Sequence, residues 1–546
     1  MTTQVVHQAP TEETAAVDVE ELDKTYGRNV GVTGLTVRIE RGEVFGFLGP
    51  NGAGKTTTLR CLVGLLRPTG GRLRVLGLDP VSQHRALAPR IGYLPGELRL
   101  YPELTGTETL RLLGDLQGAP TPRRAELCER LSLSASDLAR PVREYSRGMK
   151  QKIGLVQAFQ HEPELVILDE PTEGLDPLVQ ETFFALLDET ARAGRTVLLS
   201  SHVLPEVQRA CRRVAIIGAG RLVTVQAVAA LREARARRVR LVLADRGGAR
   251  PLGAADQWSP SWRGDEVTLL VPPDQLVGAL RSCWPRCRSP TCASRRPDWT
   301  RRSSTSTEPG TPATASLRRY SGETTLPLLW LALHRRRRML AMLAAGMVLF
   351  EALIVVVART VPPAQLFTGT IGKTPSAFKA FSGSTGDVSL ASYPGLLGAG
   401  LVHPFWIALQ LTAIGSLAAA AVAADVEAGT IELLMVRPIS RARLIAERAA
   451  AVVLTVLLLN AAATAAVAAG VWLSPSLHQA VPLRGVLLAG VLGCCFTWCL
   501  LGPALAISAA GRRRAQVIGA TIAFGAVGFA VNFVAMAWSP AAPCAS

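Results

Sequence analysis

Paired C-x-x-C spacing is absent from this sequence of 546 residues, although ten cysteines are present. Apart from Cys283, Cys287 and Cys292 in one odd segment and Cys494, Cys495 and Cys499 in an apolar one, they stand singly. That argues against a zinc ribbon and a disulfide framework, and Cys61, Cys128 and Cys211 are expected as reduced thiols. A secretory leader is also lacking: residues 1–16 are polar and acidic, so membrane insertion falls to later apolar segments. A single hydrophobic core is excluded by length, and several domains are expected. Acidic residues are short overall, leaving a net charge of +17, but the shortage is local. Residues 1–280 hold 35 Lys and Arg against 33 Asp and Glu, residues 281–320 hold 9 against 2, and residues 321–546 hold 15 against 7. The basic excess thus avoids the first half, which weighs against a nucleic-acid partner.

What is present centres on residues 49–57, GPNGAGKTT. A loop that wraps a triphosphate needs small residues, so that backbone N–H groups can turn inward, and a cation for the β and γ phosphates. Gly49, Gly54, Lys55 and Thr56 meet the spacing G-x-x-x-x-G-K-T. The apolar run EVFGFL before it has strand length, and TTTLRCLVGL after it has helical spacing. A Gly-rich turn is the bland alternative, but a strand–loop–helix context is the one that phosphate binding requires.

Other elements follow in order. Tyr26 ends the alternating stretch VDVEELDKTYG and is placed to stack on adenine. The stretch IGYLPGE gives a strand and turn, and residues 98–143 read as an inserted helical subdomain. YSRGMKQK leads into a helix, where Ser146 and Gly148 can offer a hydroxyl and backbone N–H groups to an anion; an ordinary N-cap explains them equally well. LVILDEP forms a buried strand ending in two carboxylates: Asp169 can hold Mg²⁺ through water, and Glu170 can orient or deprotonate the attacking water. GLDP follows, and TVLLSSH puts His202 at the tip of another apolar strand, within reach of a γ-phosphate. A lone His is more often structural.

Taken together, these motifs over residues 17–225 resemble the nucleotide-binding domain of ABC transporters, an α/β P-loop NTPase fold with an inserted helical subdomain. The resemblance implies that Gly49, Pro50, Asn51, Gly52, Ala53, Gly54, Lys55, Thr56 and Thr57 wrap ATP, with Thr56 and Asp169 on Mg²⁺. It also implies that Ser146, Gly148 and, in the D-loop, Asp176 serve a nucleotide held by a second copy or a related subunit. Two departures stand out. The usual LSGGQ is YSRGM here, with Arg147 where Gly is common, and Gly96 replaces a glutamine that contacts Mg²⁺ and couples to the membrane domain; Glu97 is the neighbour placed to substitute.

The remainder is read by hydropathy. Five segments, 339–358, 405–424, 449–472, 486–509 and 516–538, approach or exceed the roughly 20 apolar residues that a bilayer demands. The arginines of HRRRR before the first, Arg437, Arg441, Arg443 and Arg448 between the second and third, and Arg512, Arg513 and Arg514 before the fifth place these loops in the cytoplasm. The expectation is an all-α, multi-pass domain over residues 326–546 in the cytoplasmic membrane, with the ATPase on the cytoplasmic face. Residues 425–448 resemble the coupling segment of exporter-type ABC permeases through Glu427, Gly429, Thr430, Glu432, Leu433, Leu434 and Pro438; a basic interfacial helix is the alternative. Glu351, inside the first segment, is either a substrate-path carboxylate or a group facing the bundle.

Around these parts, residues 1–16 are expected to be disordered and residues 226–282 to form a small extension. Residues 283–325 read as a linker or as the product of a reading-frame slip near Ser282, since re-phased codons can restore a closing sequence like that of ABC ATPases. The tail AAPCAS stops after five spans where the family has six. The whole reads as the ATP-hydrolysing subunit of an exporter that moves an unidentified substrate across the lipid bilayer as a dimer, without nucleic acid. The alternative is a membrane-anchored ATPase acting as sensor or immunity component, or a transport-defective fusion.

Overall fold

The computed structural model describes residues 15–233, 237–243, 261–263, 266–271, 287–289, 326–361, 392–393, 397, 404–511 and 513–537. Nearly all of the 1–16 stretch, most of the 283–325 segment and the AAPCAS tail lie outside the described residues. By its contacts the chain divides into two units: Met1–Leu98, Gly118–Arg140 and Tyr145–Ser321 make the first, and Arg99–Gln117, Pro141–Glu144 and Gly322–Ser546 the second.

In the first unit the strands are β1 (Ala15–Tyr26), β2 (Asn29–Glu40), β3 (Val44–Leu48), β4 (Gly70–Val75), β5 (Ile91–Leu94), β6 (Leu165–Asp169), β7 (Thr196–Ser201), β8 (Arg213–Gly218) and β9 (Arg221–Ala227). Their sequences explain their places. β6 and β7 are buried at every residue and β3 at all but its last, with no polar alternation, as strands covered on both faces must be. They lie at the centre of a six-stranded sheet ordered β5-β6-β7-β3-β8-β9, parallel except for β9. The largest side chains of this core, Phe45, Phe47, Phe159 and Phe183, are fully buried. A separate antiparallel sheet, β2-β1-β4, carries alternating exposed and buried residues. A third sheet joins β10 (Arg237–Leu243), β11 (Ser261–Arg263), β12 (Glu266–Val271) and β13 (Cys287–Ser289). Cys61, Cys128, Cys211, Cys494, Cys495 and Cys499 are free; burial pushes the Cys61 and Cys128 thiols up to about 11 and Cys211 up to about 12.

The second unit is all-helical. Its long helices are Arg337–Thr360, Pro404–Ala421, Arg441–Leu473, Leu483–Ala510 and Arg514–Ala537. Among the described residues three are long and apolar enough to cross a membrane, Arg337–Thr360, Arg441–Leu473 and Leu483–Ala510, while Trp406–Ala421 forms a shorter apolar helix. The expected segment 405–424 ends early: Val422 leaves the helical region, and a separate short helix, Ala423–Ala428, begins after it. The break sets Asp425 in a buried charge cluster, where it accepts from Arg448 at 2.6 Å, Arg335 at 2.8 Å, Thr430 at 3.1 Å and Tyr101 at 3.3 Å. Burial opposes its charge, but the two guanidiniums hold its carboxyl below the usual range. Alongside, Tyr101, Leu104, Leu112 and Leu116 pack with Leu328, Leu331, Leu434 and Leu444. Arg441, Arg443 and Arg448, expected in a loop, instead form the opening turns of a 33-residue helix.

Candidate functional site

Strand β3 delivers the chain to the loop at the C-terminal edge of the parallel sheet, where an α/β fold places its ligands. Gly54 has φ 100, in the left-handed region, and a Cβ there would meet the carbonyl oxygen of Gly31 at 2.7 Å, so glycine alone fits the turn that starts the helix Lys55–Leu62. Lys55 is buried, and its ammonium donates to the carbonyls of Gly49 at 2.6 Å and Pro50 at 3.3 Å. The same Nζ lies 3.3 Å from Oε1 of Glu170.

Parallel pairing of β6 with β7 sets Asp169 beside Ser200. Asp169 accepts from the hydroxyl of Thr56 at 2.7 Å on one oxygen and from the hydroxyl of Ser200 on the other. A hydroxyl and a carboxylate in contact, next to the glycine loop, are the donor set that fits Mg²⁺, which takes few protein oxygens and keeps several waters. Glu170 is held with φ 48, an uncommon conformation for a residue with a side chain, by N–H donation to Ser200. Its Oε2 is 2.9 Å from Nδ1 of His202. The carboxylate offers only oxygens, so Nδ1–H donates and Nε2 is left to face outward. His202 is half-exposed, in keeping with a group that meets a ligand.

Lys55, Thr56, Asp169, Glu170 and His202 are therefore joined in one connected site. Tyr26 stands next to it: a Cβ on Gly31 would meet the Tyr26 ring at 2.9 Å and the Thr57 methyl at 3.2 Å, so Gly31 alone separates the ring from the loop. Tyr26 is 45% exposed, leaving a face for a flat ligand. Ser146, Gly148 and Asp176 form a second group. Ser146 caps the helix Arg147–Phe159, accepting from Met149 N–H at 3.2 Å, and Asp176 caps Pro177–Arg192, accepting from Val179 N–H at 3.0 Å. No hydrogen bond among the described residues joins Ser146 to residues 49–57 of the same chain.

Both sequence departures acquire a physical reason. A Cβ on Gly148 would meet the Gly174 carbonyl at 2.6 Å, so the glycine retained in YSRGM is the one that cannot be replaced. Arg147 is accommodated because it swings to pair with Glu173 and lies over Gly174. A Cβ on Gly96 would sit 3.1 Å from Oδ2 of Asp169, so a longer side chain there would crowd the Thr56–Asp169 contact. Glu97 is exposed.

Three contributors escaped the sequence reading. Ser200 bridges Asp169 and the backbone of Glu170; Gln151 donates from the signature helix to the Pro171 carbonyl at 2.9 Å; and Glu206 accepts from Thr172 at 2.8 Å and Ser201 at 2.7 Å, tying the turn after Glu170 to the strand before His202. Only Ser200 carried a signal, since it lies two residues before His202 at a strand end.

Residues 32–173 match the family model described as ABC transporter. An uncharacterized ABC transporter ATP-binding protein of Nostoc sp. is 41% identical over 36% of this chain and 59% of its own length. The Nod factor export ATP-binding protein I of Cupriavidus metallidurans is 38% identical over 38% of this chain and 70% of its own. The daunorubicin resistance ATP-binding protein DrrA3 of Streptomyces coeruleorubidus is 41% identical over 38% and 67%. A solved ATP-binding subunit of an ABC transporter is 31% identical, with 40% of this chain and 92% of that chain covered at a TM-score of 0.37. A relative 38% identical and covered over 70% of its length, together with the connected site of Lys55, Asp169 and Glu170, shows that this chain belongs to the ABC transporter ATP-binding proteins, and that its first unit is an ABC-type ATPase domain.

Proposed function

We propose that this chain couples ATP hydrolysis to efflux across the cytoplasmic membrane, as one of two subunits that share composite nucleotide sites. The observation that carries the reading is one chain holding both the connected site of Lys55, Asp169 and Glu170 and an all-helical unit with three helices long enough to span a bilayer. Relatives named for Nod factor export and daunorubicin resistance support the outward direction.

In the mechanism, Lys55 leaves its loop carbonyls for the β and γ phosphates, where a fixed ammonium offsets the charge that gathers on oxygen. That movement frees Glu170 from Lys55, leaving the carboxylate to accept the proton of an attacking water. His202 donates Nδ1–H to Glu170 and, with its second ring nitrogen also protonated, donates Nε2–H to a γ-phosphate oxygen. Thr56 and Asp169 would hold Mg²⁺, which supplies charge neutralisation on the phosphate oxygens. Ser146 caps its own helix through Met149 and joins none of residues 49–57 of its chain among the described residues, which suits a nucleotide bound by the other subunit.

Coupling follows the chain itself. The segment that begins three residues after Gly96 belongs to the helical unit, where its Tyr101, Leu104, Leu112 and Leu116 pack with Leu434 and Leu444; this chain continuity supports a coupling role for it. The arginines that flank the apolar helices support a cytoplasmic location for that side.

The experiment compares cells lacking the chain with cells complemented by wild type or by Glu170→Gln, reading small-molecule content by untargeted mass spectrometry. A compound that accumulates in the deletion, falls with wild type and stays high with Glu170→Gln is the expected outcome. Identical contents in all three strains would overturn efflux.

A further inference from the structure

Within the helical unit, the helix Arg337–Thr360 carries a single acidic residue, Glu351, fully buried. Met347 and Val355, one turn before and after, are buried as well, whereas Leu349, Leu353 and Val356 are exposed, so Glu351 faces the bundle rather than the lipid side. Neither carboxylate oxygen has a hydrogen-bond partner among the described residues. An acid so placed is costly unless something pairs with it.

The layer one turn before it, at Met347, also holds unpartnered polar atoms. Met347 packs with Trp406, Leu459 and Ala463. Trp406 is 2% exposed, and its indole Nε1 has no acceptor among the described residues. One turn on, the wholly buried Gln410 spends its amide on Asn460 at 3.3 Å and leaves Oε1 unpartnered. Leu483–Ala510 closes the layer through Gly493, whose Cβ position is 3.4 Å from Oδ1 of Asn460 and 3.7 Å from the Trp406 ring. Among the described residues of this layer the unpartnered acceptor atoms, Glu351 Oε1 and Oε2 and Gln410 Oε1, thus outnumber the unpartnered donor atom, Trp406 Nε1. A proton on Glu351 would leave the Gln410 oxygen unserved. An ammonium has N–H donors for both and a positive charge for the indole face.

We propose that Glu351, Trp406 and Gln410 form an intramembrane binding site for amphiphilic ammonium compounds. The proposal rests on reading this unit as the membrane-spanning part of an exporter, and supplies its cargo class.

The test uses the full chain in phosphatidylcholine nanodiscs, titrated with dansylcadaverine, a primary ammonium on a five-carbon chain, and with its uncharged N-acetyl derivative, each corrected for empty discs. The expected result is at least about tenfold tighter binding of the ammonium by wild type. Glu351→Gln should erase that preference, and Glu351→Asp should keep part of it, which separates lost charge from lost folding. Equal binding of both probes by wild type, as a permanently protonated carboxyl would give, or a preference that survives in Glu351→Gln, would overturn the site. Carbonate extraction of native membranes tests the underlying reading separately. Release of wild type would defeat the membrane assignment, while retention without ammonium preference would defeat the site alone.

Discussion

The ammonium of Lys55 lies 3.3 Å from Oε1 of Glu170, so the cation proposed to bind phosphate and the carboxylate proposed as hydrolytic base neutralise one another. Nucleotide binding exchanges one partner of each for a phosphate or a water. Lys55→Ala should therefore weaken ATP binding by about 10- to 100-fold, the worth of a charge-assisted contact. Fluorescent-nucleotide titration measures this, and unchanged affinity would remove Lys55 from the site.

Gly148 and Gly174 approach so closely that a methyl group at Gly148 has no room. Gly148→Ala should abolish hydrolysis while the Lys55 loop binds ATP with affinity within about twofold of wild type, because ΔG at that loop is untouched. Arg147→Gly, which removes a side chain lying over the surface and paired only with Glu173, should be mild by comparison. Turnover and equilibrium binding on the same preparations distinguish the two.

If the sites are composite, Lys55→Ala and Ser146→Arg subunits, each inactive alone, should regain ATPase activity when co-assembled, since one of the two sites is then intact. Co-purification through two tags verifies assembly. Absence of any recovery in verified mixed dimers would show that the sites are not shared or that both must fire.

Asp425 is the carboxylate partner of both Arg448 and Arg335, and all three are poorly accessible. Asp425→Asn leaves the buried Arg448 without its counter-charge, while Arg335 keeps Glu103 at 3.4 Å, and should cost about 3–5 kcal/mol of stability, read as a lower melting temperature and poor recovery from membranes. Tyr101→Phe removes the hydroxyl that donates to Asp425 at 3.3 Å and should cost about 1 kcal/mol.

Acid should weaken the first unit through Glu126, whose carboxyl the hydrogen bond from Arg123, aided by Arg130, holds down at about 2. Its folded value is below its unfolded one, so the contribution is present at neutral pH and is lost as pH falls from the unfolded range near ~4.3 through about 2. The group is half-exposed, so the effect is small. Glu126→Gln should melt slightly below wild type at pH 7, and the gap should narrow as pH falls toward about 2; a gap that widens in acid would contradict the pairing.

Central strands and motif residues were legible because each carries a local signature. VFGFL and LVILD are apolar without alternation, and Lys55, Asp169, Glu170 and His202 follow such strands directly. Contacts made through register or tertiary approach were not legible. The bond of Ser200 to Asp169 depends on which strand lies beside β6, the grip of Gln151 on Pro171 depends on how a helix meets a turn, and the room for Arg147 depends on Glu173. In the helical unit, hydropathy located the long helices but ran past Val422, because nothing in an unbroken apolar run announces that Asp425, three residues on, pairs with Arg448.

The most direct measurement of the central claim is ATP turnover by the full chain in lipid with Mg²⁺, alongside nucleotide retention, for wild type and Glu170→Gln. The account expects steady hydrolysis by wild type, and for Glu170→Gln a loss of about 100-fold or more with ATP still bound, since the amide keeps the shape but not the base. Turnover by Glu170→Gln within about twofold of wild type would contradict it.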